Sequence, residues 1–154
     1  NVPDAVLGGL GDAKATDTCY QAGVGANVKL TVGASLDSSS TPVSFEGKVM
    51  FLSEVTEIRE RQAVVQVGGI TVILSHRRRP YHYEEDFTRL GVYPRQRKMT
   101  IVKVGYLVPD LKRIAKEIFL ALSPGAVDQH IERLEYKRVK RPIYPLEKTF
   151  DWQP

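Results

Sequence analysis

The alternation of apolar and polar positions predicts strands and helices that follow one another along the chain. Residues 4–9, DAVLGG, form a short apolar run that ends in glycines, which is typical of a buried strand before a turn. Residues 11–23 place small or apolar side chains at helical spacing, with Asp12 as the candidate N-cap and Gly23 as the stop. A strand, a glycine turn and a helix in this order predict the start of an α/β unit.

The next part of the chain is predicted to be β-structure. Residues 26–33 alternate polar and apolar side chains, and residues 43–55 continue as a strand after a mobile loop over 34–42. Within 43–55, Gly47 is a candidate bulge. Three apolar residues of this strand are expected on one face: Phe45, Val49 and Phe51.

The clearest hairpin is predicted over residues 62–75. Two β-branched runs flank Gly68 and Gly69, and glycines permit the positive φ that a two-residue turn requires. The second arm ends at Ser75, so the arginine run that follows begins where a strand leaves the sheet.

The C-terminal half returns to helices and strands. Acidic residues open a short helix over 84–91, and residues 98–107 predict a buried strand. Apolar residues at helical spacing predict a helix over 108–125, and the proline-containing tail over 131–154 is expected to lie extended along the body. We therefore expect one α/β domain over residues 1–154, with a mixed sheet, the Gly-Gly hairpin and about three flanking helices.

Composition narrows the class of protein. The 154 residues are 42% apolar and 26% charged, values typical of a single globular domain. The single cysteine, Cys19, cannot form an internal disulfide, and no apolar stretch approaches the roughly 20 residues needed to cross a bilayer. We expect no membrane partner and a cytoplasmic location. The chain begins without Met and without the regions of a signal peptide, which predicts that it is part of a longer protein.

Candidate chemistry concentrates in SHRRRPYHYEEDFTRLG, residues 75–91. A metal site built from this chain alone is disfavoured, because His76 and His82 are six residues apart and no tight zinc spacing is present. An anion clamp is better placed, since guanidinium forks bind carboxylates and phosphates and loops after strand ends build sites in α/β sheets. The arginines of 77–79 alternate in direction if extended, so one or two of them can face a cleft. Pairing with Glu84, Glu85 or Asp86 is an equally weighted alternative.

Two other classes of function stay open. A nucleic-acid module would use the basic run over 76–83 and a second run over 135–145, but acids adjoin both and the net charge is only +4. Coverage of apolar sheet edges by long basic side chains is favoured over nucleic-acid binding. A plain interaction domain would expose an apolar patch instead.

Weaker candidates have simpler structural interpretations. The glycines of GGLGD, residues 8–12, could hold an anion at a helix start, but a tight strand–helix turn is favoured. Cys19 is interpreted as a packed small residue, and His130 has no obvious base or nucleophile beside it in sequence.

Five segments in order resemble a known family: AGVGANVKLTVG, GGITVILSHRRR, DFTRLGVYP, IVKVGYL and YKRVKRPIYPLE. Together they resemble the C-terminal domain of the microcystinase-C-like (MlrC-like) metallopeptidases over nearly the whole chain. The resemblance implies a zinc-dependent peptidase family whose metal ligands belong to a larger N-terminal domain. None of those ligand motifs matches a position here. We therefore expect no catalytic residue, metal or cofactor in this chain, and no peptidase activity from the isolated chain. Its expected partner is the N-terminal metal-binding domain of the same protein, which would hold the zinc.

The resemblance also implies which residues would meet a peptide or small anionic substrate. Arg77 and Arg78 match a recurrent Arg-Arg after the hairpin, and Lys103 matches a recurrent lysine in the following strand. Lower-ranked wall residues are Tyr81, His82 and Tyr106. The chain departs from many relatives after Lys103, where Val104 and GYLVP replace a Ser and a His, which indicates a divergent branch.

Overall fold

The structure is a computed structural model that describes residues 4–33, 41–122, 129–134, 136–144, 146–149 and 151. In this part of the chain the strands are β1 (Ala5–Gly11), β2 (Asn27–Val32), β3 (Val43–Leu52), β4 (Gln62–Val67), β5 (Ile70–Ser75) and β6 (Met99–Val102). The α-helices are α1 (Ala13–Ala22), α2 (Glu85–Thr88) and α3 (Pro109–Ile114), and single 3-10 turns occupy Ile58–Glu60, Pro94–Gln96 and Ile131–Arg133. Most of the predicted 34–42 loop lies outside the described residues.

The six strands form one mixed sheet in the order β2-β3-β4-β5-β1-β6. Antiparallel pairing joins β2 to β3, β3 to β4 and β4 to β5, whereas β1 runs parallel to both β5 and β6. Gly68 and Gly69 connect β4 to β5, with Gly68 at φ 56°. The predicted α/β class, mixed sheet and three helices are confirmed.

Two apolar cores lie on opposite faces of this sheet. Helix α1 covers the first core, where Ala15 and Cys19 pack against the inner residues of β2, β3 and β5. Helices α2 and α3 cover the second core, in which Val6, Val64 and Ile73 of the sheet meet residues of the loops that follow β5. The second core also contains Tyr81, Phe87, Leu90, Val92 and Leu111.

Helix α1 begins and ends where its sequence predicts. The Asp12 carboxylate accepts from the Ala15 N–H at 3.0 Å, and the Asp12 N–H donates to the Ser75 carbonyl at 2.8 Å. Gly23, at φ 83°, donates its N–H to the Cys19 carbonyl at 3.0 Å. The Asp12 carboxylate therefore already binds a free N–H group at the start of α1, where the sequence had suggested that an external anion could bind.

Strand β3 differs from its prediction at two points. The register shift lies between Val49 and Phe51 rather than at Gly47, so Phe51 pairs with Val64 and packs on the second core instead of sharing a face with Val49. Gly47 is required for close packing, because a Cβ there would lie 2.6 Å from Val65 Cγ1.

The C-terminal half contains three further corrections. Strand β6 is shorter than predicted and is not buried, because among the described strands it pairs only with β1, at the margin of the sheet. Helix α3 ends at Ile114 rather than near residue 125, and Ala115 is extended at ψ 135°. The described tail residues are mostly exposed instead of packed along the body. None of the described helices is long and apolar enough to cross a bilayer, and the cytoplasmic location stays a prediction.

Candidate functional site

The candidate site lies at one edge of the sheet, where three parallel strands end together. Because β5, β1 and β6 run in the same direction, the residues that follow them meet at this edge. These residues are Asp12 after β1, the segment 76–80 after β5 and the segment 103–106 after β6. The carboxyl edge of parallel strands is where open α/β sheets usually bind ligands.

Two cavities flank the arginine segment at this edge. The first, which we name the cationic cleft, has a volume of about 280 Å³. It is lined by Arg78, Arg79, Pro80, His82, Lys103, Val104, Gly105 and Tyr106. The second has a volume of about 460 Å³ and is lined by Glu60, Arg77, Arg78, Arg79, Pro80, His82, Tyr83 and Asp86.

Glu60 pairs with two of the three arginines. Its Oε2 lies 3.2 Å from Arg79 Nη1, and its Oε1 contacts Arg77 Nη2. Within the described residues, neither of these arginines pairs with the acids over 84–86. The structural alternative to an anion clamp was therefore right in kind but named the wrong acids.

Those acids have other roles. Glu84 accepts two hydrogen bonds from the Arg95 guanidinium, at 2.7 and 3.0 Å, which raises the pKa of that arginine. Asp86 accepts the backbone N–H groups of His82 and Tyr83, both at 3.0 Å, and lies 3.4 Å from Arg89 Nη2. Asp86 therefore holds the segment around His82 in place through its backbone.

Arg78 is exposed and has no carboxylate partner within the described ranges. Its backbone packs directly on the end of β1. A Cβ on Gly11 would lie 2.7 Å from Arg78 Cα and 2.8 Å from its N, a distance that real Cβ atoms do not tolerate. Gly11 therefore allows the arginine segment to cross the sheet edge, which gives this glycine a packing role.

The other wall of the cationic cleft comes from the residues after β6. Lys103 donates its backbone N–H to the Gly8 carbonyl at 3.3 Å, and its exposed side chain has no carboxylate partner among the residues described. The Tyr106 ring lies 5.9 Å from the His82 imidazole, so these two rings connect the walls. The structure thus brings together four predicted site residues: Arg78, His82, Lys103 and Tyr106.

Two predicted site residues lie elsewhere. Arg77 lines the second cavity, where its guanidinium pairs with Glu60. Tyr81 belongs to the second core and is only 1% exposed, with its ring 5.1 Å from that of Phe87 and its hydroxyl in contact with Gln62 Nε2. Burial raises the pKa of Tyr81 to about 12, against the lowering effect of Arg89 and Arg79. Tyr81 therefore supports the segment from below instead of lining the cleft.

The described residues do not fit a zinc ion. No group of three His, Cys, Asp or Glu residues among them could hold a metal. His76 Nε2 lies 3.5 Å from Asp17 Oδ2, but the neighbour of that carboxylate is Arg61, at 3.7 Å. Cys19 is fully buried, and burial raises its thiol pKa to about 11, which disfavours the thiolate that binds metals.

Glu60 and Arg79 were not predicted as site residues from the sequence, although a signal for Glu60 was present. The hairpin pairs Gln62 with Ser75, so an antiparallel register extended by two residues places residue 60 opposite residue 77. A carboxylate opposite the first arginine of the run was therefore predictable from the two-residue turn.

Comparisons with known proteins agree with this fold. The model of the family described as MlrC C-terminus matches residues 1–138. Microcystinase C from Sphingomonas sp is 27% identical over 156 residues, which cover 92% of this chain and 29% of that protein. A crystal structure of a "putative metallopeptidase" from Mesorhizobium sp. BNC1 has a TM-score of 0.79 at 22% identity, over 99% of this chain and 33% of its own. The chain thus spans about a third of the length of these relatives.

Proposed function

The chain belongs to the MlrC C-terminus family, and from that premise we propose that it is the accessory, substrate-facing domain of a zinc-dependent hydrolase. The resemblance seen in the sequence is confirmed at the level of the family. In this proposal the zinc and the catalytic groups belong to a larger N-terminal domain, and the isolated chain is inactive. The share of about a third of the relatives' length supports a larger partner.

One observation carries the proposed role of the cationic cleft. Arg78 and Lys103 bring two positive charges to the carboxyl edge of β5 and β6, and neither has a carboxylate partner in the described part of the chain. The neighbours of Arg78 are both held by Glu60. A guanidinium and an ammonium that lack an internal anion are suited to bind an external one, and guanidinium binds carboxylates in a bidentate fork. We assign the cleft to a carboxylate of the substrate.

The rings of the cleft have a supporting role in this proposal. His82 is half-buried and Tyr106 is exposed, and their contact closes one side of the cleft. An aromatic wall beside the charges would contact the apolar part of a substrate while the cations hold its carboxylate. Neither ring is assigned to a bond-breaking step.

Exposed apolar side chains support the proposed packing against a larger domain. Phe119 is 89% exposed and Leu120 is 66% exposed, in a segment that follows α3. A contiguous group of large apolar residues on a surface is typical of an interaction site. Ile118 and Leu122 are exposed in the same segment, which we name the apolar segment, residues 118–122.

The anion role is tested by titrating the chain with succinate while its arginine and lysine side-chain signals are followed by NMR. We expect saturable shifts at Arg78 and Lys103. The change Arg78→Gln removes the guanidinium fork and should weaken succinate binding about tenfold, the value of one charge-assisted hydrogen bond. Arg77→Gln is the matched control, because Arg77 is held by Glu60, and it should change the affinity less than about twofold.

One result would overturn the assignment of the cleft, and another would overturn the accessory role of the chain. Equal losses in the two arginine variants would mean that succinate responds to net charge alone. Stoichiometric, tight binding of zinc to the chain in a calorimetric titration would mean that the metal site is not confined to another domain.

A further inference from the structure

Strand β6 (Met99–Val102) forms one margin of the sheet, and its outer side has no strand partner in the described part of the chain. Edges of this kind present backbone groups that can pair with another extended chain. Three properties of this edge define what it could bind: the direction of its backbone groups, its side chains and the charges at its ends.

The register with β1 fixes which backbone groups point outward. Met99 donates its N–H to the Asp4 carbonyl at 3.2 Å, and Lys103 donates to the Gly8 carbonyl at 3.3 Å. In a parallel ladder the N–H and C=O of one residue point to the same side, and successive residues alternate. Thr100 and Val102 therefore direct their N–H groups away from β1. The Thr100 carbonyl also points outward, whereas the Val102 carbonyl accepts from Val104 at 3.1 Å.

The side chains of β6 separate into a covered and an uncovered row. Thr100 lies opposite Val6, a member of the second core, and so faces that core together with Val102. Met99 and Ile101 lie on the other face and are 53% and 47% exposed. An extended chain beside β6 would therefore place every second side chain next to Met99 and Ile101, where an apolar residue would be favoured.

The ends of β6 carry positive charge. Lys98 precedes the strand and Lys103 follows it, and both are exposed without a carboxylate partner among the described residues. The carboxyl end of β6 leads into the cationic cleft, since Lys103 lines that cleft with Arg78. An anionic group is therefore favoured at the carboxyl end of any chain that pairs in parallel with β6.

We propose that an extended peptide with a free C-terminus binds as a seventh strand, parallel to β6, with its terminal carboxylate at Arg78 and Lys103. The parallel direction is favoured by charge, because two cations without a carboxylate partner in the described chain, Arg78 and Lys103, lie at the carboxyl end of β6, whereas Lys98 alone lies at its other end. Addition of a strand to an exposed edge is an established mode of peptide recognition. The inference rests on the proposed anion cleft and specifies its ligand: a peptide terminus with an apolar residue at alternate positions.

The probe is the acetylated peptide Val-Thr-Val-Ala, as the free acid and as the C-terminal amide, titrated into the chain and followed by backbone amide NMR. We expect saturable shifts over 99–103 with the free acid and about tenfold weaker binding of the amide, because the charged hydrogen bonds at the cleft are lost. N-methylation of the peptide nitrogens that face β6 should weaken binding at least as much.

A pair of substitutions separates the edge from the cleft. Thr100→Pro removes an outward N–H that is not part of the ladder with β1, so the fold should persist while peptide binding falls about tenfold. Thr100→Val keeps the N–H and should bind the peptide like the unaltered chain. Circular dichroism of both variants checks that the sheet is intact, and succinate titration checks that the cleft is intact.

The outcomes distinguish this inference from the proposed function. If peptide binding is insensitive to Thr100→Pro while succinate binding is retained, the proposed pairing with β6 is wrong and the proposed anion binding in the cationic cleft stands. Peptide binding that is lost in Thr100→Pro but equal for acid and amide overturns the proposed parallel anchoring of the carboxylate, whereas the cleft itself is judged by the succinate titration. A concentration-dependent dimer that Thr100→Pro converts to a monomer would make a second copy the occupant and overturn the peptide assignment.

Discussion

At the scale of single residues, Glu60 determines which arginine can meet a ligand. Side chains of an extended segment alternate in direction, so a carboxylate that binds residues 77 and 79 leaves residue 78 on the other side. Each exposed or half-exposed ion pair to Glu60 adds little stability, about 0–1 kcal/mol. Its consequence is orientation: Arg77 and Arg79 share the carboxylate of Glu60, and Arg78 is left without a carboxylate partner among the described residues.

The contact between Gly11 and Arg78 gives a prediction about a single methyl group. Gly11→Ala would place a Cβ 2.7 Å from Arg78 Cα, and both partners are backbone atoms that cannot move aside independently. We expect a loss of about 1–3 kcal/mol in the free energy of unfolding, the usual range for overpacking. Urea unfolding measures this loss, and succinate binding should weaken in the same variant because Arg78 is displaced.

Gly105→Ala is the matched control, because its Cβ would meet only Gln129 Nε2, at an ordinary 3.5 Å. Gly105 also lines the cationic cleft, so the control changes the same region by the same group. Its free energy of unfolding should stay within about 0.5 kcal/mol of the unaltered chain. Equal stability of the two variants would show that the arginine segment does not pack on β1 at this distance.

Single residues also mark the limit of prediction from the sequence. Arg77 and Arg78 were predicted as site residues because they follow a strand end and match the resemblance, Lys103 was predicted from the resemblance alone, and His82 was a lower-ranked wall residue. The structure places all four around the same sheet edge. Tyr81 and Tyr106 could not be separated in the same way. Tyr81 is buried through Phe87 and Gln62, and these contacts exist only after the helix and the hairpin have met.

At the scale of elements, α3 shows why a helical pattern did not give a long helix. Residues 115–122 contain good helix formers, and their apolar residues continue the spacing of Leu111 and Ile114. Most helical stability in proteins comes from burial of the apolar face. Leu111 is buried in the second core, whereas the apolar segment has no described surface to cover it. The helix accordingly ends with its last packed turn.

Two equivalent leucine truncations test this account of α3. Leu111→Ala removes a side chain that is 5% exposed, and we expect the free energy of unfolding to fall by about 2–4 kcal/mol. Leu120→Ala makes the same chemical change at a residue that is 66% exposed, and the expected change is below about 0.5 kcal/mol. Urea unfolding of both variants measures the difference. Similar losses would mean that the helix continues and that residues 118–122 are packed in the isolated chain.

The exposure of strand β6 likewise could not be predicted from its own residues. An apolar run such as that over 98–107 is consistent with a buried strand, but periodicity does not reveal how many neighbours a strand has. Because β1 inserts between β5 and β6, β6 has a strand partner on one side only in the part of the chain that the structure describes. The local residues of β6 therefore predicted its existence, and the order of the sheet decided its exposure.

At the scale of the whole molecule, the class of fold was predictable and the strand order was not. Alternating strand and helix patterns predicted a mixed α/β sheet, because each pattern reflects local burial. The position of β1 depends on pairing with strands that lie more than sixty residues later in the chain, at Ile70 and Met99. This long-range insertion creates the three parallel ends that form the site, so the site geometry could not be derived from local patterns.

The proposed union with a larger domain gives a prediction for the whole protein. In the isolated chain the amides of the apolar segment should exchange with solvent rapidly, because its side chains are exposed. In the longer protein, packing of Phe119 against the catalytic domain should slow exchange of these amides while β4 and β5 are unchanged. Hydrogen exchange measured on both forms tests this difference.

A charge placed in the apolar segment should then have different effects in the isolated chain and in the longer protein. Phe119→Asp leaves the free energy of unfolding of the isolated chain within about 0.5 kcal/mol, because the side chain is 89% exposed there. In the longer protein the same change buries a charge and should abolish the added protection. Tyr144→Asp is the control at another exposed aromatic residue. If both substitutions leave the protection of residues 118–122 unaltered, the catalytic domain contacts a different face, and the exposed apolar residues no longer support the proposed union.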